Sequence, residues 1–125
     1  MSGDPYSERV RQLFEAPRHA GSLGGALSAT LEDQGVRIRL AAEIADGEMR
    51  TLRFQAWGCP HVIAVAEAFC ADYEGKSVST LLEFSVSDLM QSLSVPVEKT
   101  GRILVIEDAV RSLGNIVRDA SNPDD

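Results

Sequence analysis

Arg53-Phe54-Gln55-Ala56-Trp57-Gly58-Cys59-Pro60-His61 joins two kinds of periodicity within nine residues. Leu52, Phe54 and Ala56 alternate with Arg53 and Gln55, the period of a half-buried strand. From Pro60 to Glu74 the pattern turns helical, with Val62, Ile63, Ala66, Phe69, Cys70 and Tyr73 on one stripe. Pro60 suits a first helical position, where no N–H is needed, and Gly58 suits a sharp bend. Cys59 therefore falls where the chain changes from extended to helical. Unpaired N–H groups and a positive partial charge gather there and favour a thiolate over a thiol.

Upstream of this junction the chain reads as more of the same sheet. Leu27, Ala29 and Leu31 alternate with small polar residues, and Glu32-Asp33-Gln34-Gly35 reads as a turn. Val36, Ile38 and Leu40 alternate with Arg37 and Arg39, and Asp46-Gly47 is a two-residue hairpin signal. Before the strands, Asp4-Pro5 predicts a helix start, followed by Tyr6, Val10, Leu13 and Phe14 at helical spacing up to Ala16. Arg18 to Gly25 reads as a glycine-rich connector without the Gly-Lys-Ser/Thr ending of a phosphate loop.

Downstream, Gly75 suits the residue after a helix, and Leu81-Leu82 suggests a short helix. Ser85 with Asp88 predicts a capping box for another, carrying Leu89 and Leu93. Arg102 or Ile103 opens a final helix with Ile103, Ile106, Val110, Leu113 and Val117 on its buried stripe. These elements predict an α+β fold: a three-stranded antiparallel sheet with helices packed on one face. One domain is expected over 1–120, followed by a polar, mobile tail over 121–125.

Composition narrows the function. The chain has 125 residues, 44% hydrophobic and 25% charged, which is ordinary for a soluble globular domain. A net charge of −7 argues against nucleic-acid binding; Arg37, Arg39 and Arg53 share at most a small sheet face. No apolar run is long enough to span a membrane, and no leader pattern is visible at the N-terminus, so the expected location is the cytoplasm. Two cysteines without a Cys-x-x-Cys make neither a disulfide framework nor a self-sufficient structural zinc site.

The candidate chemistry gathers at Cys59. Cys70 lies eleven residues on, about 16 Å along the helix, and reads as core. His61 is either a second metal ligand beside Cys59 or a solvated first-turn histidine. His19 reads as a loop surface residue. Glu32 or Asp33 becomes a ligand or base if the sheet brings their turn beside the Gly58–Cys59 bend. No hydrolytic triad or paired-carboxylate pattern points to an enzyme.

Several of these segments resemble one known family. Tyr6-Ser7-Glu8-Arg9-Val10, Pro17-Arg18, Gly21-Ser22, Trp57-Gly58-Cys59, Gly75-Lys76-Ser77, Val95-Pro96-Val97-Glu98-Lys99 and Glu107-Asp108-Ala109 are similar, in register, to motifs of the NifU/IscU-type iron–sulfur cluster assembly scaffolds. The resemblance runs from about residue 6 to 120 and implies the same α+β fold. It also implies three cysteines that receive sulfur and hold a cluster, of which Cys59 corresponds to the second. The first falls on Glu32 if strand alternation is kept, or on Asp33 by ungapped counting, and a neighbouring aspartate falls on Gln34 or Gly35. The third falls on Arg102, and a histidine often found before it falls on Gly101.

Taken with these departures, the resemblance implies a degenerate scaffold that handles sulfur, iron or a cluster through Cys59, with Arg102 stabilising the thiolate or a bound anion. An iron–sulfur cluster, iron, zinc or no cofactor all remain open. Metal ligands would be Cys59 with Glu32, Asp33 and His61. Expected partners are a cysteine desulfurase or an assembly chaperone docking on Val95, Pro96, Val97, Glu98 and Lys99, or a second copy of the chain. Two alternatives stand beside this reading: an interaction protein that docks those partners without holding a cluster, and a mononuclear zinc or iron module.

Overall fold

The computed structural model describes residues 6–121, Ser121 by its backbone alone. In chain order the elements are α1 (Glu8–Glu15), β1 (Leu27–Asp33), β2 (Val36–Ala45), β3 (Glu48–Trp57) and α2 (Pro60–Tyr73). A 3₁₀ turn (Val78–Glu83), α3 (Ser87–Ser92), a second 3₁₀ turn (Val97–Lys99) and α4 (Thr100–Ser121) follow. The strands form one antiparallel sheet in the order β1-β2-β3. Helix α4 packs on β1 and β2, α2 packs on β3, and α1 packs on α2. This is the α+β arrangement that the alternating strands require, because Val36, Ile38, Leu40, Leu52 and Phe54 need one covered face.

Both hairpins close through two consecutive residues of positive φ. Asp46 and Gly47 (55° and 74°) do so where the sequence marks a turn, and Gln34 and Gly35 (54° and 74°) do so in the first hairpin. Backbone twist of this hand matches the twist of the flanking strands. The first turn is thus tighter than expected: Glu32 and Asp33 belong to β1, opposite Arg37 and Val36.

Other boundaries also move. Asp4 and Pro5 lie outside the described residues, and α1 begins at Glu8, where the Ser7 hydroxyl accepts from the Val10 N–H at 3.2 Å. The capping box at Ser85 and Asp88 is not formed. Helix α3 follows Val86, and Ser85 Oγ accepts from Ser87 N at 3.4 Å instead. Helix α4 opens at Thr100, before Arg102, because the 3₁₀ turn at Val97–Lys99 leads straight into it.

The segment after α1 is more than a connector. His19 O accepts from Phe54 N at 2.9 Å, and Gly21 N donates to Phe54 O at 2.8 Å, so His19–Gly21 lies parallel to β3 along its outer edge. Gly75 and Lys76 cover the start of the same edge through Met49. Paired in this way, the edge no longer offers unsatisfied backbone groups along those stretches. Among the described residues, no helix is long and apolar enough to cross a membrane.

Candidate functional site

Three segments meet at one end of the sheet. The first is the Gly58–Cys59 bend. Cys59 is the N-cap of α2, with extended backbone (φ −80°, ψ 166°), and its carbonyl accepts from Val62 N at 2.9 Å. Its thiol is free and half-buried. Gly58 sits in a tight space and not in a left-handed backbone. A side chain there would put its first carbon 3.3 Å from Val62 Cγ2 and 3.4 Å from Val36 Cγ2. The second segment is the Gln34–Gly35 turn, and the third is the start of α4. A side chain at Gly101 would place its first carbon 3.8 Å from Gln34 Oε1, so the turn and the helix start are neighbours. Val36, which contacts Gly58, pairs with Asp33 and ties the turn to the bend.

This convergence separates the two candidate carboxylates. Successive strand residues face opposite sides of a sheet. Asp33 shares the helix-covered side with Ala29 and Leu31, beside Val36 and the bend. Glu32 lies opposite Arg37 on the other side, and the Arg37 guanidinium sits 5.2 Å from the centre of the Trp57 ring. Arg102 is exposed in the first turn of α4 and makes no ion pair with either carboxylate among the described residues. Asp33 Oδ1 instead accepts from Gln34 N at 2.8 Å, which steadies the turn.

His61 departs from both of its expected readings. It is neither solvated nor presented beside Cys59 on an exposed helix end. It is 1% exposed, its ring centre lies 4.8 Å from that of Tyr6, and neither ring nitrogen has a hydrogen-bond partner. Two residues of helix turn the side chain about 200° away from the cap position, into the layer between α1 and α2. Burial, and then the nearby Lys99 ammonium, hold its pKa below the ordinary histidine value. Among the described residues, no three His, Cys, Asp or Glu side chains group so as to hold a metal ion.

Cys70 is core, as its place on the stripe implies. Burial pushes its thiol pKa upward, with Glu67 and Glu74 adding and Arg53 opposing. His19 is the residue that sequence reading misplaced. Its Nδ1 lies 2.6 Å from Glu67 Oε2, its backbone N–H donates to Glu67 Oε1 at 2.8 Å, and its Nε2 is 3.5 Å from Glu74 Oε1. Glu74 in turn accepts from Leu52 N at 2.8 Å and Arg53 Nη1 at 3.1 Å. Burial works to raise the Glu74 pKa, but the Leu52 N–H, His19 and Arg53 together outweigh it and hold the carboxyl low. The available signal was Glu67, an acid in the middle of an otherwise apolar helix, which demands a partner.

The fold and this site define a small sheet-and-helix protein with a single cysteine at a strand–helix bend. The family model described as NifU-like N terminal domain matches residues 5–114, and the chain belongs to that family. The iron-sulfur cluster assembly scaffold protein IscU of Rickettsia prowazekii is 30% identical over 114 residues, covering 86% of this chain and 87% of that one. The iron-sulfur cluster assembly protein IscU of Plasmodium falciparum is 29% identical over 112 residues, covering 85% and 69%. In fold, the chain is similar to the crystal structure of a nitrogen-fixing NifU-like protein (N-terminal) from Brucella abortus. The TM-score is 0.73 at 13% identity, covering 90% of this chain and 94% of that one.

Proposed function

We propose that this chain works in iron–sulfur cluster assembly as a scaffold-type protein whose one reactive group is the Cys59 thiol. The observation that carries this reading is the position of Cys59: a free, half-buried cysteine capping α2, where the Asp33–Gly35 turn and the start of α4 meet. Family membership and the names of the IscU relatives support the assignment to cluster assembly.

The donor set does not fit a cluster held by this chain alone. A cluster takes about four ligands, mostly thiolates. Here no three His, Cys, Asp or Glu side chains among the described residues group to hold a metal, Arg102 is a cation, and His61 faces inward with both nitrogens buried. No step is therefore routed through a cluster. What one thiolate at a helix N-terminus can do is accept sulfur. The Cys59 thiolate attacks the terminal sulfur of a donor persulfide, the new S–S bond forms as the old one breaks, and the donor thiolate leaves. Atoms and charge balance without an added oxidant. A cysteine desulfurase is the donor that this reading implies.

The test is sulfur loading from a donor persulfide, followed by intact-protein mass spectrometry. One sulfur per chain is expected, lost completely in Cys59→Ala and kept in Cys70→Ala. Loading that survives Cys59→Ala overturns the reading. A second reading, a protein that docks an assembly partner, is favoured by Val97. This apolar side chain is 84% exposed between Pro96 and Glu98, on the segment expected to bind a chaperone. Val97→Asp should abolish capture of such a chaperone without changing sulfur loading.

A further inference from the structure

Arg9 on α1 and Arg18 after it line a cavity of about 440 Å³ against α2, on the side of the helix away from its N-cap. The chain has 19 acidic and 12 basic side chains, and its arginines divide into ones that pair with a carboxylate and ones that do not. Arg50, Arg53, Arg111 and Arg118 each lie within ion-pair distance of an Asp or Glu. Arg9 and Arg18 make no such pair among the described residues.

The cavity contains a carboxylate, but it is already taken. Glu67 is the only acidic residue among the described lining, and both of its oxygens accept from His19, one from the backbone N–H and one from Nδ1. Its side chain is also only 5% exposed. The hydrogen-bonding capacity of Glu67 toward this cavity is thus taken up by His19, while Arg9 and Arg18 both line the opening. Gln12 adds an amide to the wall, and Ala71 keeps the space clear where a longer side chain would fill it.

We infer that this cavity is an anion-binding site, distinct from Cys59, that takes a small oxyanion (a carboxylate or phosphate group) between Arg9 and Arg18. Planar guanidinium donors pair with either group through two parallel hydrogen bonds. The site does not depend on the sulfur chemistry of Cys59, so the two readings stand or fall separately.

The experiment is an NMR titration of the full chain at constant ionic strength. Inorganic phosphate and citrate serve as separate probes and chloride as the control, with the Arg side-chain N–H and His19 resonances followed. Saturable shifts of the Arg9, Arg18 and His19 signals are expected with one or both probes, and the probe that produces them identifies the oxyanion. The double variant Arg9→Gln/Arg18→Gln should lose the shifts, as should Ala71→Leu, which fills the cavity without changing charge; Cys59→Ser should keep them. Non-saturating shifts scattered over the surface, meaning an adventitious ion only, would overturn the inference. So would saturable shifts that persist in the double arginine variant.

Discussion

At its C-terminal half α2 carries Glu67, Cys70 and Glu74, and each is accounted for: Glu67 by His19, Cys70 by burial, and Glu74 by Leu52 N, Arg53 and His19. At its N-terminus the same helix carries Cys59, whose thiol caps nothing, and His61, buried with two orphan nitrogens. One end locks the N-terminal segment to the edge of β3. The other leaves the Cys59 thiol without a capping bond beside a turn and a helix start, and buries the His61 nitrogens without partners on the opposite side, against Tyr6. A fold under no constraint but stability would complete both ends, since a buried polar group without a partner costs about 1–3 kcal/mol. The contrast therefore separates a satisfied end of α2 from an unsatisfied one, the end on which the proposed function rests.

The contrast breaks most visibly if the Cys59 end can be given the thiolates that it lacks. Asp33→Cys with Arg102→Cys adds two thiolates on the side of the sheet where Cys59 lies. Anaerobic incubation with iron and sulfide should then give a chain that retains both through gel filtration, where the wild type retains little. Glu32→Cys with Arg102→Cys should not, because position 32 lies on the opposite side of the sheet, beside Arg37. Equal retention by the two pairs would mean that the alternation of β1 does not decide which residue faces the bend.

The locked end should show the largest cost in stability. Glu67→Ala removes the acceptor for two His19 donors and leaves them in a half-closed site. A loss of about 2 kcal/mol is expected in urea unfolding. His19→Ala removes the same side-chain contact, so the double variant should lose much less than the sum of the two. Full additivity would show that the His19–Glu67 contact contributes nothing in solution.

These two ends also mark where sequence reading succeeds and where it stops. The sheet, its pairing order and the helix over Pro60–Tyr73 follow from periodicities that are local, and the structure keeps them. Cys59 is visible for the same reason: strand, glycine, proline and helix are consecutive. His19 was not, because its partner lies 48 residues away and nothing local distinguishes a loop histidine from one bound to a buried acid. His61 was misread because the first turn of a helix is usually wet, whereas here Tyr6 and α1 cover it. Which side of the sheet Glu32 and Asp33 each face needed the register of the hairpin, which the turn at Gln34–Gly35 supplies.

Smaller in size, but the sharpest in discriminating the two ends, is their response to acid. His61→Phe keeps a ring against Tyr6 and removes both orphan nitrogens, so it should raise stability at neutral pH by about 1 kcal/mol. The folded-state pKa of His61 lies below its ordinary value of 6.5, because burial and then Lys99 disfavour the charged ring. The unfolded chain thus binds that proton more readily, and the stability at stake is whole above pH about 6.5 and lost as pH falls below it. Glu74 is also held low, so its contribution is whole above about pH 4.3 and disappears as pH falls through the folded-state value. Two acid limbs follow, one from each end of α2. His61→Phe should flatten the limb that starts near neutrality and leave the lower one. Glu74→Gln should lower stability at neutral pH and flatten the lower limb alone. Chemical denaturation at a series of pH values reads both, and a single limb that neither substitution changes would mean that the two ends do not differ as their contacts imply.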